Sequence, residues 1–238
     1  MTYACRQLRE ALHRVTGTSP GGLGLHDRVV DYISGKLDPM RSAGHFHDTY
    51  VCCFCESGDL LSQWCTYGGG TAGYAIGFHG DSFEGSEAKR LPSAQSAFGQ
   101  VSYGIYPEEE EEVIRIFAER VLSKAEKSIV DDDDDVVGFV GVLNLRLAII
   151  KNPTFHEERE WRLIIQTYEG EENSGIAFRS GPAGLTPYVR VAFKPESVIE
   201  VVAGPGPLPQ QQHSVRRLLD SYGFKDVEVK SSSAPLRF

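Results

Sequence analysis

Apolar positions follow a helical rhythm near the N-terminus, where Leu8, Ala11, Leu12 and Val15 fall on one helix face. The stretch TGTSPGGLG then ends that helix with Gly and Pro. A second short helix is predicted from Leu25 to Ser34, followed by a polar loop over residues 36–48. TYVCCFC has the Tyr, Val and Phe content of a buried strand. Beyond Ser57 the pattern changes again: Leu60, Leu61, Trp64 and Tyr67 share one helical face, with Asp59 or Ser57 as the candidate cap, and three glycines stop the helix. GYAIGF reads as a strand and SAFGQVSYGIY as another.

PEEEEEVIRIFAERVLSKAEK begins with Pro, carries acids in its first turn and ends in lysines, which suits a helix dipole at both ends. Valines crowd the start of DDDDDVVGFVGVLNLRLAIIKNP, but its length, leading acids and Lys-Asn-Pro stop predict a buried helix. EWRLIIQTY, GIAFR, PYVRVAF and VIEVVAG then read as strands, QQQHSVRRLLDSYG as a helix with a Gly stop, and DVEVKSS as a closing strand. The fold class expected is α+β: a single domain, helices early and sheet late, with a mixed or antiparallel sheet flanked by helices.

With 238 residues, 41% of them hydrophobic, the chain can bury one sizeable core. Its net charge of −9 argues against broad nucleic-acid or anionic-membrane binding, which needs clustered Lys and Arg. Small molecules or proteins are the expected partners. The apolar run from Val136 to Ile150 is broken by Asn144 and Arg146 and is shorter than the roughly 20 residues that span a bilayer. The N-terminal segment has Arg and Glu where a signal peptide needs apolar residues, so a cytoplasmic location is expected. Five cysteines, four of them between Cys52 and Cys65, suit a reducing compartment.

Several chemical readings compete. Gly68, Gly70 and Gly73 satisfy G-x-G-x-x-G, but a dinucleotide loop needs its strand before and its helix after, and here the order is reversed. GPGPLP lies between a strand and a helix, yet Pro205, Pro207 and Pro209 lack the N–H groups that an anion loop supplies, which favours a rigid turn. Cys53, Cys55 and Cys65 with His45 or His47 could ligate zinc, although no second paired motif closes the site, and buried reduced thiols are the simpler account. No metal is therefore expected. In FHEEREWRLIIQ, a strand starting near Glu160 puts Glu160, Arg162 and Ile164 on one face and Trp161, Leu163 and Ile165 on the other. An acid and a base would then project side by side at the mouth of a sheet, with Glu158 completing Glu-x-Glu. The competing account is a surface salt-bridge ladder worth under about 1 kcal/mol.

CFCESGDLLSQWCTYGGGTAGYAIGF and NPTFHEEREWRLI, with FRSGPAGLTPYV, VVAGPGP and the ending VKSSSAPLRF, resemble the motifs of a bacterial family known as domain of unknown function 2971. The resemblance covers roughly residues 50 to 238. It implies a family α+β domain over residues 49–238, preceded by a helical segment over residues 1–48. The family's opening strand motif and N-D-P-F turn are not found before residue 50, so the chain is expected to start late.

The motif order is also similar to that of ADP-ribosyltransferase-like enzymes, some of them toxins or defence effectors. That resemblance implies NAD as a substrate, with no permanently bound cofactor. Glu160 would stabilise the oxocarbenium-like state, Glu158 would orient an acceptor and Ser62 would hold the glutamate or ribose. Trp64 or Tyr67 would stack on nicotinamide, Arg162 would pair with a phosphate, and a protein could be the acceptor. The alternative is a non-catalytic binding or interaction module, in which the aromatics are core and Ser62, Glu160 and Arg162 form a structural polar network.

Overall fold

A computed structural model describes residues 3–36, 48–68, 73–83, 95–104, 108–125, 134–167, 175–181, 184–206 and 211–235. In chain order the elements are α1 (Tyr3–Thr16), α2 (Leu25–Lys36), β1 (Thr49–Cys55), α3 (Leu61–Tyr67), β2 (Tyr74–Phe78), β3 (Gln95–Gln100) and β4 (Ser102–Tyr103). They continue as α4 (Glu108–Ala125), α5 (Asp134–Ile149), β5 (Ile150–Lys151), β6 (Glu160–Gln166), β7 (Ile176–Gly181), β8 (Gly184–Val189), β9 (Val198–Ala203), α6 (Gln211–Ser221) and β10 (Glu228–Ser231). The class is mixed α+β, as expected. The described strands do not form one sheet: they divide into β1-β6-β3, β10-β9-β2 and the pairs β4-β5 and β7-β8.

The chain splits into two compact units, and the division cuts β1 after Cys53 and β6 after Glu160. The first unit comprises residues 1–53, 88–157 and 161–190. Its core joins Leu8, Ala11 and Leu12 of α1 to Val30 and Ile33 of α2, Ile114, Ala118 and Leu122 of α4, and Leu143 of α5. Burying each large aliphatic side chain here contributes about 1.5–3 kcal/mol. The periodicity read in α1 is therefore the face that packs.

In the same unit β6 pairs antiparallel with β3, from Gln166 opposite Gln95 to Trp161 opposite Gln100. β6 occupies the centre of its sheet and β1 an edge. The expected burial of TYVCCFC is consequently overturned: Val51, Cys52 and Cys53 are exposed. A central strand has neighbours on both sides, whereas an edge strand keeps one side open.

The second unit comprises residues 54–87, 158–160 and 191–238. Within it β9 runs parallel to β10 and antiparallel to β2, with Val201 opposite both Val229 and Ile76. Val215 and Leu219 of α6 pack with Val201, Val227 and Phe224 on one face of this sheet. On the opposite face a methyl group at Gly58 would meet Val202 and Glu200 at 3.4 Å, so the turn before α3 lies close against the strands. A separate cluster of Phe54, Phe78, Phe83 and Phe193 has ring centroids 4.8–6.0 Å apart.

Candidate functional site

Among the described residues of the second unit, a dense polar arrangement is built on Asp59. The proposed cap role is overturned: α3 begins after Leu60, and no side chain caps it. The Ser57 hydroxyl instead accepts the Asp59 N–H at 3.3 Å. The Asp59 carboxylate accepts the indole N–H of Trp64 at 2.7 Å, the Ser233 N–H at 2.7 Å, the Ser233 hydroxyl at 2.8 Å and the Ser232 hydroxyl. Burial alone would raise its pKa. The donors of Ser232, the Ser233 backbone, Trp64 and the Ser233 side chain together outweigh that and bring it to about 2.

Trp64 is 5% exposed, and Gly68 and Gly204 lie close against it. A methyl group at Gly204 would stand 2.9 Å from the Gly73 oxygen and 3.0 Å from Trp64 Cζ3, and one at Gly68 would stand 2.6 Å from the Trp64 oxygen. One at Gly73 would collide with Gly68 at 2.6 Å. Gly68, Gly73 and Gly204 are thus small because an indole and neighbouring backbone occupy the space. Three motifs separated in sequence, DLLSQW, VVAGPGP and VKSSS, converge on this one indole–carboxylate pair.

The sequence-derived residues are placed as follows. Ser62 lies exposed on α3, and its carbonyl accepts the Thr66 hydroxyl at 2.9 Å. The helical face proposed for Leu60, Leu61, Trp64 and Tyr67 is corrected: among the described residues of α3 only Trp64 is buried, and Tyr67 is 77% exposed. Glu158 closes a 3-10 turn, and Arg159 follows with φ 41°, a left-handed conformation that separates it from the strand start. Glu158 and Glu160 are therefore not successive same-face positions of one strand. Arg159 lies 3.6 Å from Glu56.

β6 starts at Glu160, as the alternation predicts, but its side chains do not stand at an open sheet mouth. Glu160 is 1% exposed, which also overturns the surface salt-bridge account. Arg162 donates to the carbonyl of Ala148 near the end of α5, and Gln166 donates to that of Gly141 at 3.3 Å. The face carrying Arg162, Ile164 and Gln166 accordingly lies along α5. Arg162 satisfies one of the carbonyls that a helix C-terminus leaves unpaired, with favourable charge for the dipole.

The thiols are also placed differently from expectation. Cys52, Cys53 and Cys65 are exposed and Cys55 is half-buried, while Cys5 is buried. Partial desolvation raises the Cys52 thiol above its ordinary value, the wrong direction for a nucleophile. Among the described residues no group of three His, Cys, Asp or Glu side chains could hold a metal ion. His45, His47, Gly70, Pro207 and Pro209 lie outside the described residues. No described helix is long and apolar enough to cross a membrane.

Asp59 was legible only as a cap, because acids before a helix ordinarily have that role. The signal that pointed further was the repeated SSS near the C-terminus, whose hydroxyls and amides needed an acceptor. Residues 63–163 match the model of a family described as protein of unknown function (DUF2971), in agreement with the family that the motifs resemble. No curated protein and no solved structure matches the chain.

Proposed function

We propose that this chain, whose central residues carry the match to a family of unknown function, is a non-catalytic binding or interaction module. The burial of Glu160 carries this reading, because a carboxylate 1% exposed has no open face to offer a ribose hydroxyl. Two further placements support it. Trp64 is enclosed with its N–H engaged by Asp59, and Arg162 is engaged by the end of α5. A ring only 5% exposed cannot stack on nicotinamide, and a guanidinium on a helix terminus is drawn away from a phosphate. On this reading the motif residues hold the fold, and recognition uses exposed side chains.

The second reading is a domain that binds or cleaves NAD, and the exposed Ser62 and Tyr67 favour it. The two are separated by incubating wild-type protein and Glu160→Gln with NAD while following nicotinamide release and thermal unfolding. The module reading expects no release from either protein and a lower unfolding midpoint for Glu160→Gln, since the amide replaces a fully buried carboxyl group with different hydrogen-bonding needs. Release by the wild type alone, with unchanged midpoints, would overturn it in favour of catalysis at Glu160.

A further inference from the structure

Away from these motifs, the hairpin of α1 and α2 contains a buried histidine flanked by hydroxyls on one side and a carboxylate on the other. His13 Nδ1 stands 2.8 Å from Thr18 Oγ1, which is 2.8 Å from Thr16 Oγ1, which is 2.7 Å from the Leu12 carbonyl oxygen. Contacts this short between electronegative atoms each require one hydrogen. The Leu12 oxygen carries none, and each hydroxyl has one to donate. Thr16 therefore donates to Leu12, Thr18 donates to Thr16, and the imidazole Nδ1–H donates to Thr18. This order excludes Thr18 as a nucleophile activated by His13, because the imidazole is the donor.

On its other side, His13 Nε2 lies 3.6 Å from Asp31 Oδ1 and has no hydrogen-bond partner among the described residues. Asp31 Oδ1 accepts from Arg9 at 3.0 Å, and Oδ2 accepts the Gly21 N–H at 2.8 Å. With its hydrogen on Nδ1, neutral His13 points a bare lone pair at a carboxylate. One added proton turns that opposed pair into donor and acceptor.

We propose that His13 Nε2 is a proton-binding site that makes the α1–α2 hairpin sensitive to pH. The charges acting on it are Asp31 and Asp27 of α2 and Arg9 of its own helix. Asp27 is itself engaged by the Ser19 and Gly24 N–H groups, at 2.7 and 3.1 Å. Of the other elements packed on α1, α4 carries Glu111, bound by Arg14, while α5 and β5 carry Arg146 and Lys151. Burial disfavours the imidazolium more than Asp31 favours it, so the pKa lies below the ordinary 6.5. The unfolded chain takes up this proton first as pH falls. Between the ordinary value and the lower folded one, the unfolded state holds more protons, and acid loosens the hairpin.

Imidazole nitrogen NMR of the intact wild-type chain at about pH 7.5, above the ordinary histidine range, tests the tautomer directly. The expected spectrum places the hydrogen on Nδ1 and leaves Nε2 bare; a hydrogen on Nε2 overturns the proposal. Thr16→Val frees the Thr18 hydroxyl to donate to the ring, so the hydrogen should switch to Nε2, and an unchanged tautomer counts against the relay. His13→Asn keeps an N–H near the Nδ1 position but cannot titrate. It should lose the fall in unfolding midpoint between about pH 7 and about pH 5. A fall of wild-type size in this variant overturns the pH coupling. Should that variant not fold, titration of the wild-type ring decides: a midpoint at or above the ordinary value sinks the proposal.

Discussion

Asp59 and Asp31 are both carboxylates drawn below their ordinary range, but their surroundings differ in the number of hydrogens available. Around Asp59 every described group hydrogen-bonded to the carboxylate is a donor: an indole, two hydroxyls and a backbone N–H. Around Asp31 the Gly21 N–H is the largest lowering influence and Arg9 adds to it, while His13 presents a bare nitrogen at 3.6 Å. The first arrangement is closed, with nothing left to titrate near neutral pH. The second has one hydrogen too few, and a proton can fill the vacancy. Hydrogen inventory, more than burial, separates a structural carboxylate from a responsive one.

The comparison breaks most severely at Trp64. Trp64→Ala removes both the enclosed ring and a donor to Asp59 and should cost about 4 kcal/mol in urea unfolding. A loss below about 1 kcal/mol would show that the ring is not core and would restore it as a stacking surface.

Asp59→Asn is next, at about 2 kcal/mol near neutral pH, because it exchanges charge-assisted acceptors for a group that must turn a donor toward other donors. The same variant sharpens the pH contrast. Asp59 has its folded pKa depressed to about 2 from an ordinary 3.8, so its contribution is fully present above the ordinary value and is lost as pH falls through the folded one. Wild-type stability should decline across that acid window more steeply than that of Asp59→Asn; parallel curves would remove the carboxylate from the account.

The smallest effect is expected at Asp31→Asn, about 1 kcal/mol, since the Arg9 pair is partly solvated. Its signature lies in the His13 titration. Asp31 raises that pKa, so its neutralisation should move the midpoint further down, and an upward movement would contradict the arrangement.

Much of the local structure was legible. Leu8, Ala11 and Leu12 announced a packed helical face, and the leading acids and terminal lysines of PEEEEEVIRIFAERVLSKAEK announced the helix Glu108–Ala125. Glu160 was correctly placed at a strand start with Arg162 on the same face. Its burial was not legible, because alternation gives a side chain's face but not what covers that face. The TYVCCFC composition likewise could not distinguish the edge position of β1 from a central one.

By itself the sequence determined the class, the principal helices and the alternation of β6, since these depend on spacing and capping within a few residues. Tertiary structure alone decided that Asp59 would meet Ser233 across 174 residues, that Trp64 would fill the gap left by Gly204, and that Arg162 would close the end of α5. Those outcomes depend on distant partners brought within hydrogen-bond or van der Waals distance, and interactions of such short reach act only once the chain has folded.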